Sequence, residues 1–247
     1  MRLQLIRNAT LRLRYAGQNI LVDPSLAEQY SQDSLAGKSK NPTVALPVRA
    51  DEVAEGIDLV LVSHLHADHI DLKPPCLPTS LPVLGQPNDT GTLRDAGFTD
   101  VTGLETDVEW KGIQIIRTGG EHGTGPVGQA MGQVSGFVLR APEEPTLYVA
   151  GDTIWNDEVR TVIKTYHPAV IVTNSGGGQI QQTMILMDIQ ATLAVAKAAP
   201  AATVIAVHLE AYDHMTVTRQ ALRSAVRQAG LESRVVVPND GEIIDLN

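Results

Sequence analysis

The stretch LVLVSHLHADHIDL, residues 59–72, sets His64, His66 and His69 directly behind an apolar run, with Asp68 and Asp71 beside them. The whole chain of 247 residues has only seven histidines, so the concentration is marked. Imidazole and carboxylate groups gathered this closely suit coordination of zinc, iron or manganese. Side chains of extended backbone repeat every second residue, so an H-x-H pair at a strand end sends two imidazoles to one side. Where the chain then turns, Asp68 and His69 project from the bend. One short loop thereby serves two metal positions, with His64 and His66 at one and Asp68 and His69 at the other.

A metal site needs further ligands from elsewhere. His122 in IQIIRTGGEHGTG, Asp152 in TLYVAGDT and His208 in ATVIAVHLE each come shortly after an apolar run that reads as a strand. The carboxyl ends of strands are where α/β architectures gather their sites. Each residue alone reads as structural; the repeated placement is what favours ligation. His214, six residues after His208, is read as a proton donor, a substrate contact or a replacement ligand, with a capping or solvated role as the plain alternative. Asp71 reads as a cap of the following turn or as the partner of a ligand imidazole. Glu121 and Thr153 flank ligands and can only support them. His167 reads as structural, at a helix-to-strand junction. Cys76 sits among prolines with no partner that would mark a nucleophile. NSGGGQIQQT lacks the Lys-Ser/Thr ending of a phosphate-binding loop and reads as a loop lining a pocket.

These groups need strands to carry them. LQLIRNATLRLRYAGQNILVDP predicts two strands and a hairpin return, turning at Gly17-Gln18-Asn19. Residues 26–50 lack periodicity and read as a surface loop, or as a flap over a site. GIDLVLVS is a continuous apolar run, as a strand buried on both faces requires. LPVLGQP, then VTGLETDVEWKGIQIIRTG, predict further strands, with a short helix in NDTGTLRDAG. VSGFVLRAPEEPTLYVAGDT predicts two strands around a Pro-containing turn. Helices follow in NDEVRTVIKTYHP, ended by Pro168, in MDIQATLAVAKAAP from an Asp188 N-cap, and in TVTRQALRSAVRQAG. The last helix turns Leu222, Ala225, Val226 and Ala229 inward. AVIVTNSGGG and ATVIAVH are strands, and RVVVPNDGEIIDL closes as two short strands around an Asp-Gly turn. Each half has several strands followed by strand-helix alternation with no linker between, which predicts two sheets in one sandwich, a single domain over 1–247.

The composition is 43% hydrophobic but only 4% aromatic, so the core is built of Val, Leu, Ile and Ala. A net charge of −9 without any cluster of Lys and Arg argues against nucleic acid as a partner. One cysteine permits no internal disulfide and fits a reducing compartment. The N-terminal residues lack a signal-peptide block and no stretch approaches a membrane span, so the expectation is a soluble, cytoplasmic protein without a membrane partner.

HLHADH, followed in order by a single His, Asp and His, resembles the H-x-H-x-D-H pattern of the metallo-β-lactamase superfamily. SHLHADH, HGTGP, VSGFVL, YVAGDTIW and HLEAYDH look most like its ascorbate-6-phosphate lactonase-like branch of metal-dependent hydrolases. The resemblance implies an α/β (α+β) fold, a four-layer αββα sandwich with the site at one edge between the sheets. It implies His64, His66 and His122 at a first metal, Asp68, His69 and His208 at a second, and Asp152 bridging them. The cofactors would be two divalent ions, zinc first, with manganese or iron as alternatives. The chemistry expected is hydrolysis by a hydroxide shared between the cations, with Asp68, Asp152 and His214 as catalytic residues. The substrate would be a small lactone, cyclic amide or phosphate ester, and homo-oligomers are left open. Two rivals remain: an iron-dependent, dioxygenase-like oxidoreductase on the same scaffold, and a non-catalytic metal-binding protein.

Overall fold

A computed structural model describes residues 1–35, 37–72 and 77–246; Cys76 lies outside them. The first sheet begins with an antiparallel run, β1 (Arg2–Arg7), β2 (Thr10–Tyr15) and β3 (Gln18–Val22). It continues in parallel through β4 (Leu59–Leu61), β5 (Val83–Gly85) and β6 (Val101–Gly103). The second sheet repeats that plan. Its antiparallel run is β7 (Asp107–Trp110), β8 (Ile113–Thr118), β9 (Gly136–Arg140) and β10 (Leu147–Val149). β10 then starts a parallel run with β11 (Val170–Asn174), while β12 (Gln179–Ile180) and β13 (Thr183–Met184) form a separate hairpin. β14 (Thr203–Val207) and β15 (Val235–Val236) extend that parallel run, and β16 (Ile243–Asp245) returns to pair with β1.

The continuous apolar runs work because a strand sends alternate side chains to opposite faces. Leu59 and Leu61 of β4 enter the core between the sheets, while Val60 and Val62 enter an outer core. Val170 and Val172 of β11 and Ile205 and Val207 of β14 likewise face inward, and Ile171, Val204 and Ala206 face outward. The outer core of the first sheet is covered by α1 (Ala50–Ala54) and α2 (Thr90–Asp95) through Val53 and Leu93. α3 (Gly125–Met131) lies beyond β8. α4 (Asp157–Tyr166), α5 (Ile189–Ala198) and α6 (Arg219–Gln228) cover the second sheet through residues such as Val159, Leu193 and Leu222. Helix, sheet, sheet and helix therefore stack as the expected αββα sandwich.

The N-caps of α4, α5 and α6 are side-chain oxygens, Asp188 among them as the sequence predicts. Asn156 accepts from Val159 N, Asp188 from Ala191 N and Thr218 from Ala221 N. α4 ends at His167, exposed and in the left-handed region at φ 46°, just before Pro168.

Several expectations need correction. The first turn is Ala16-Gly17, both at positive φ, and Gln18 and Asn19 already belong to β3. A two-residue turn of this kind matches the twist of the strands it joins. Ala229 is exposed rather than inward, because it caps the C-terminus of α6 beyond the sheet. The two short terminal strands around the Asp240-Gly241 turn are present as expected, and they join different sheets, β15 one and β16 the other. α1, α3 and the β12–β13 hairpin were not expected.

Candidate metal centre

Four predicted ligand positions follow strands directly or within a few residues. Ser63-His64 comes after β4, His122 after β8, Asp152 after β10 and His208 immediately after β14. After β4 the chain turns tightly, with His69 N and Ile70 N both donating to the His66 carbonyl. This bend brings the His69 ring back against that of His64, with centroids 4.1 Å apart. Gly151 adopts φ +68°, and a Cβ there would lie 2.5 Å from the Ser135 carbonyl, so the approach to Asp152 needs glycine. Gly176 passes so close to the His208 carbonyl that a Cβ would lie 2.2 Å from it.

The seven predicted ligands fall into two adjoining sets. His64, His66 and His122 form one, and Asp68, His69, Asp152 and His208 the other, each with its donor atoms within 4.8 Å of one another. In the first, His66 Nδ1 lies 2.9 Å from His64 Nε2 and 3.3 Å from His122 Nε2. In the second, His69 Nε2 lies 3.1 Å from His208 Nε2, and Asp68 Oδ2 lies 3.3 Å from the same nitrogen. Donors about 2.0–2.1 Å from a tetrahedral zinc ion sit about 3.3 Å from each other, which is this spacing. Asp152 touches both sets: its Oδ2 is 3.2 Å from His69 Nε2, 3.5 Å from His122 Nε2 and 3.9 Å from His64 Nε2. Its Oδ1 is 3.6 Å from His208 Nε2.

The imidazoles are aimed by what holds their other nitrogen. His69 Nδ1 donates to Asp23 Oδ2 at 2.8 Å. Ser63 Oγ donates to the same oxygen at 2.7 Å and so accepts from His64 Nδ1 at 2.9 Å. One carboxylate therefore orients a histidine in each set. His122 Nδ1 donates to the Ile185 carbonyl at 2.8 Å. In all three rings Nε2 is left facing the cluster. Asn174 Nδ2 donates to Asp152 Oδ1 at 2.6 Å, and Asn8 Nδ2 lies between the Asp68 carbonyl and His208 Nε2. Asn8, Asp23 and His208 all adopt positive φ, backbone states that cost roughly 1–3 kcal/mol and gather at functional sites.

The electrostatics call for a cation. Asp23, Asp68 and Asp152 are buried together, and no Lys or Arg pairs with them among the described residues. Burial would push Asp68 and Asp152 upward, but the surrounding histidines, His69 foremost, outweigh it and hold both carboxyls well below the usual range. Burial would lower His69, yet Asp152, Asp23 and Asp68 together raise it well above the ordinary imidazole value. Burial pushes His64 and His66 down, as a neutral, ligating imidazole requires. The donor types, their spacing and the buried carboxylates, unpaired with Lys or Arg among the described residues, all fit divalent metal ions.

The cluster forms the floor of a cavity of about 400 Å3, with His66, Asp68, His122, Asp152 and His214 in its lining. His214 is buried, with Nε2 3.8 Å from Asp68 Oδ2, and burial lowers its pKa. Its Nδ1 has no partner among the described residues. Gln32, Ser34 and Leu35 line the cavity too, so part of the 26–50 segment is a wall of the site. Asp71 accepts from Leu26 N and from Gln32 Nε2, tying that wall to the ligand loop; the turn after it lies outside the described residues. Thr153 Oγ1 accepts from Glu121 N beside His122, whereas the Glu121 side chain is exposed. His167 lies apart from the cluster, at the end of α4.

The reading from sequence missed Asp23, Ser63, Asn174 and Asn8. Asp23 carried a usable signal, since it directly follows the apolar strand NILV just as Asp152 follows LYVAG.

A family model described as a beta-lactamase superfamily domain matches residues 18–209. The UPF0173 protein YddR of Bacillus subtilis is 38% identical, covering 98% of this chain and 98% of its own. Among solved structures, a possible metal-dependent hydrolase from Veillonella parvula is 32% identical with a TM-score of 0.95, covering 100% of this chain and 99% of the other. An isothiocyanate hydrolase from Delia radicum gut bacteria is also 32% identical, with a TM-score of 0.94 and the same coverage. These likenesses reach the superfamily and do not single out its ascorbate-6-phosphate lactonase branch.

Proposed function

The chain belongs to the beta-lactamase superfamily as a metal-dependent hydrolase, and from that premise we propose a two-metal enzyme that adds water to a small, uncharged electrophile. The observation that carries this reading is Asp152, whose carboxylate reaches histidines of both donor sets. His64, His66 and His122 would hold one cation, and Asp68, His69 and His208 the other, with Asp152 shared. Zinc suits the donors best, and manganese or iron would also be accepted. When bound, such ions lower the pKa of water from 15.7 toward about 7 and stabilise negative charge developing on the substrate.

The residues of the chain supply the rest. Asp23 fixes His64 and His69, and the buried, ionised Asp68 at the cavity floor can hold a water by accepting its hydrogen. His214, whose pKa burial lowers and whose Nδ1 has no partner among the described residues, can carry a proton to the leaving or newly basic atom. In a lactone or cyclic amide the bond from carbonyl carbon to ring oxygen or nitrogen breaks, and that atom takes the proton. In an isothiocyanate, the substrate class of one similar structure, water oxygen bonds the central carbon and the proton goes to nitrogen. Phosphate esters are less well served, because no Lys or Arg lines the cavity among the described residues.

The test is hydrolysis of short alkyl isothiocyanates, γ-lactones, cyclic amides and p-nitrophenyl phosphate by protein loaded with zinc, manganese or iron. Turnover of a neutral class, at two metals per chain, is the expected result. No hydrolysis of any class with both positions filled would overturn the proposal. Oxygen uptake by the iron form alone would replace it with the oxidoreductase reading.

A further inference from the structure

The wall of the cavity is polar by composition but apolar in what it has left to offer. Gln32 Nε2 donates to the Ala67 carbonyl and to Asp71, and its Oε1 accepts from Tyr212. Asn41 uses both ends of its amide on Asp213, donating to Oδ1 and accepting from the backbone N. Ser34 Oγ donates to Asp213 Oδ2 at 2.6 Å and accepts from Gly37 N. The acid on this wall, Asp33, is 94% exposed and pairs with Lys40. The unspent surface belongs to Leu35 from the loop, Ala130 and Met131 from α3, and Ile185.

Leu35 is the telling residue. It lines the cavity yet is 59% exposed, as a large apolar side chain with too little to pack against. Its loop is nevertheless fastened. Besides Ser34 and Asn41, the backbone N–H groups of Lys38 and Ser39 donate to Asp213 Oδ2 at 3.0 and 2.7 Å. Asp213 adjoins His214 of the floor, so one carboxylate sets the height of Leu35 above the donor sets.

We infer that Leu35 and Met131 form an apolar clamp for an uncharged hydrocarbon group of the substrate, and that Asp213 is the positioning residue that holds the Leu35 side of it. The inference rests on the two-metal reading, since the group is placed relative to a reacting carbon at the cluster. An apolar tail gains from removing Leu35 from water, about fourfold in affinity per buried methylene. An anionic tail finds no Lys or Arg in the cavity lining among the described residues, and nearby Lys40 is already paired with Asp33.

The experiment uses zinc-loaded protein and hydroxamates, which anchor to metal ions whatever the natural substrate is. Calorimetry on acetohydroxamate through octanohydroxamate should show affinity rising about fourfold per methylene until the cavity is full. A carboxylate at the tail end should abolish the gain. Leu35→Ser and Asp213→Asn should flatten the rise while zinc content stays at the wild-type level. Flat affinities in the wild type, tighter binding of the carboxylated tail, or a wild-type rise in Leu35→Ser would each overturn the clamp. If even acetohydroxamate does not bind the zinc-loaded protein, the two-metal reading falls, and the clamp with it.

Discussion

The floor and the wall of the cavity are built on opposite plans. The floor hangs from strand ends, and its histidines are aimed by Asp23, Ser63 and a backbone carbonyl. The wall comes from a seven-residue helix and from a loop held by one isolated Gln32–Asn41 bridge, the loop being fastened to the floor through Asp213 and Asp71. Rigid strands hold donors to within the tolerance a metal demands, whereas a tethered loop can change its side chains without disturbing them. Chemistry and selectivity are thus assigned to different parts of the chain.

Substitutions should separate the two. Asp152→Ala should lower kcat/KM by roughly 10³-fold or more and reduce bound metal, since it removes the group shared by both donor sets; a fully loaded, fully active variant would erase the distinction. Asp23→Ala should weaken metal affinity by roughly 10–100-fold, the usual cost of losing a group that orients ligand imidazoles, as read by competition with a chromophoric chelator. Chelation of bound metal should lower the Tm by about 10 °C, taking about 4 kcal/mol of ligand stabilisation at a thousandfold excess over Kd. Burial lowers the pKa of His64 and His66, so they stay unprotonated into mildly acid solution. Their donor set should therefore release its cation only below pH 6.5, whereas the set containing His69, whose pKa the neighbouring carboxylates raise, should release its own at higher pH; equilibrium dialysis against zinc measures both steps. The smallest effect belongs to the wall: Met131→Ala should raise KM by less than about tenfold with metal content unchanged. Loss of metal in that variant would blur the comparison from the other side.

The floor was largely legible because its residue types are rare and their placement recurs. His64, His66, Asp68 and His69 announce themselves by spacing, and His122, Asp152 and His208 by following apolar runs. Asp23 and Asn174 were harder, since their meaning depends on which strands become neighbours, and neither the β3–β4 nor the β10–β11 parallel pairing is encoded locally. The strands were legible from continuous Val, Leu and Ile runs with their flanking turns. α3 was not: GPVGQAM has two glycines in seven residues, a poor helix by propensity. The β12–β13 hairpin escaped because Gln181 and Gln182 occupy its positive-φ turn, where Asn or Gly would have given the signal. His214 could be placed only by folding, which set it beside Asp68.

The donor sets draw on both sheets, His64 to His69 from the first and His122, Asp152 and His208 from the second. A pair of cations seated there would rivet the sandwich along one edge. Neither sheet could then breathe at that edge without releasing ions, so the amides just beyond β4, β10 and β14 should exchange with deuterium as a single cooperative unit when metal is present and independently once it is stripped.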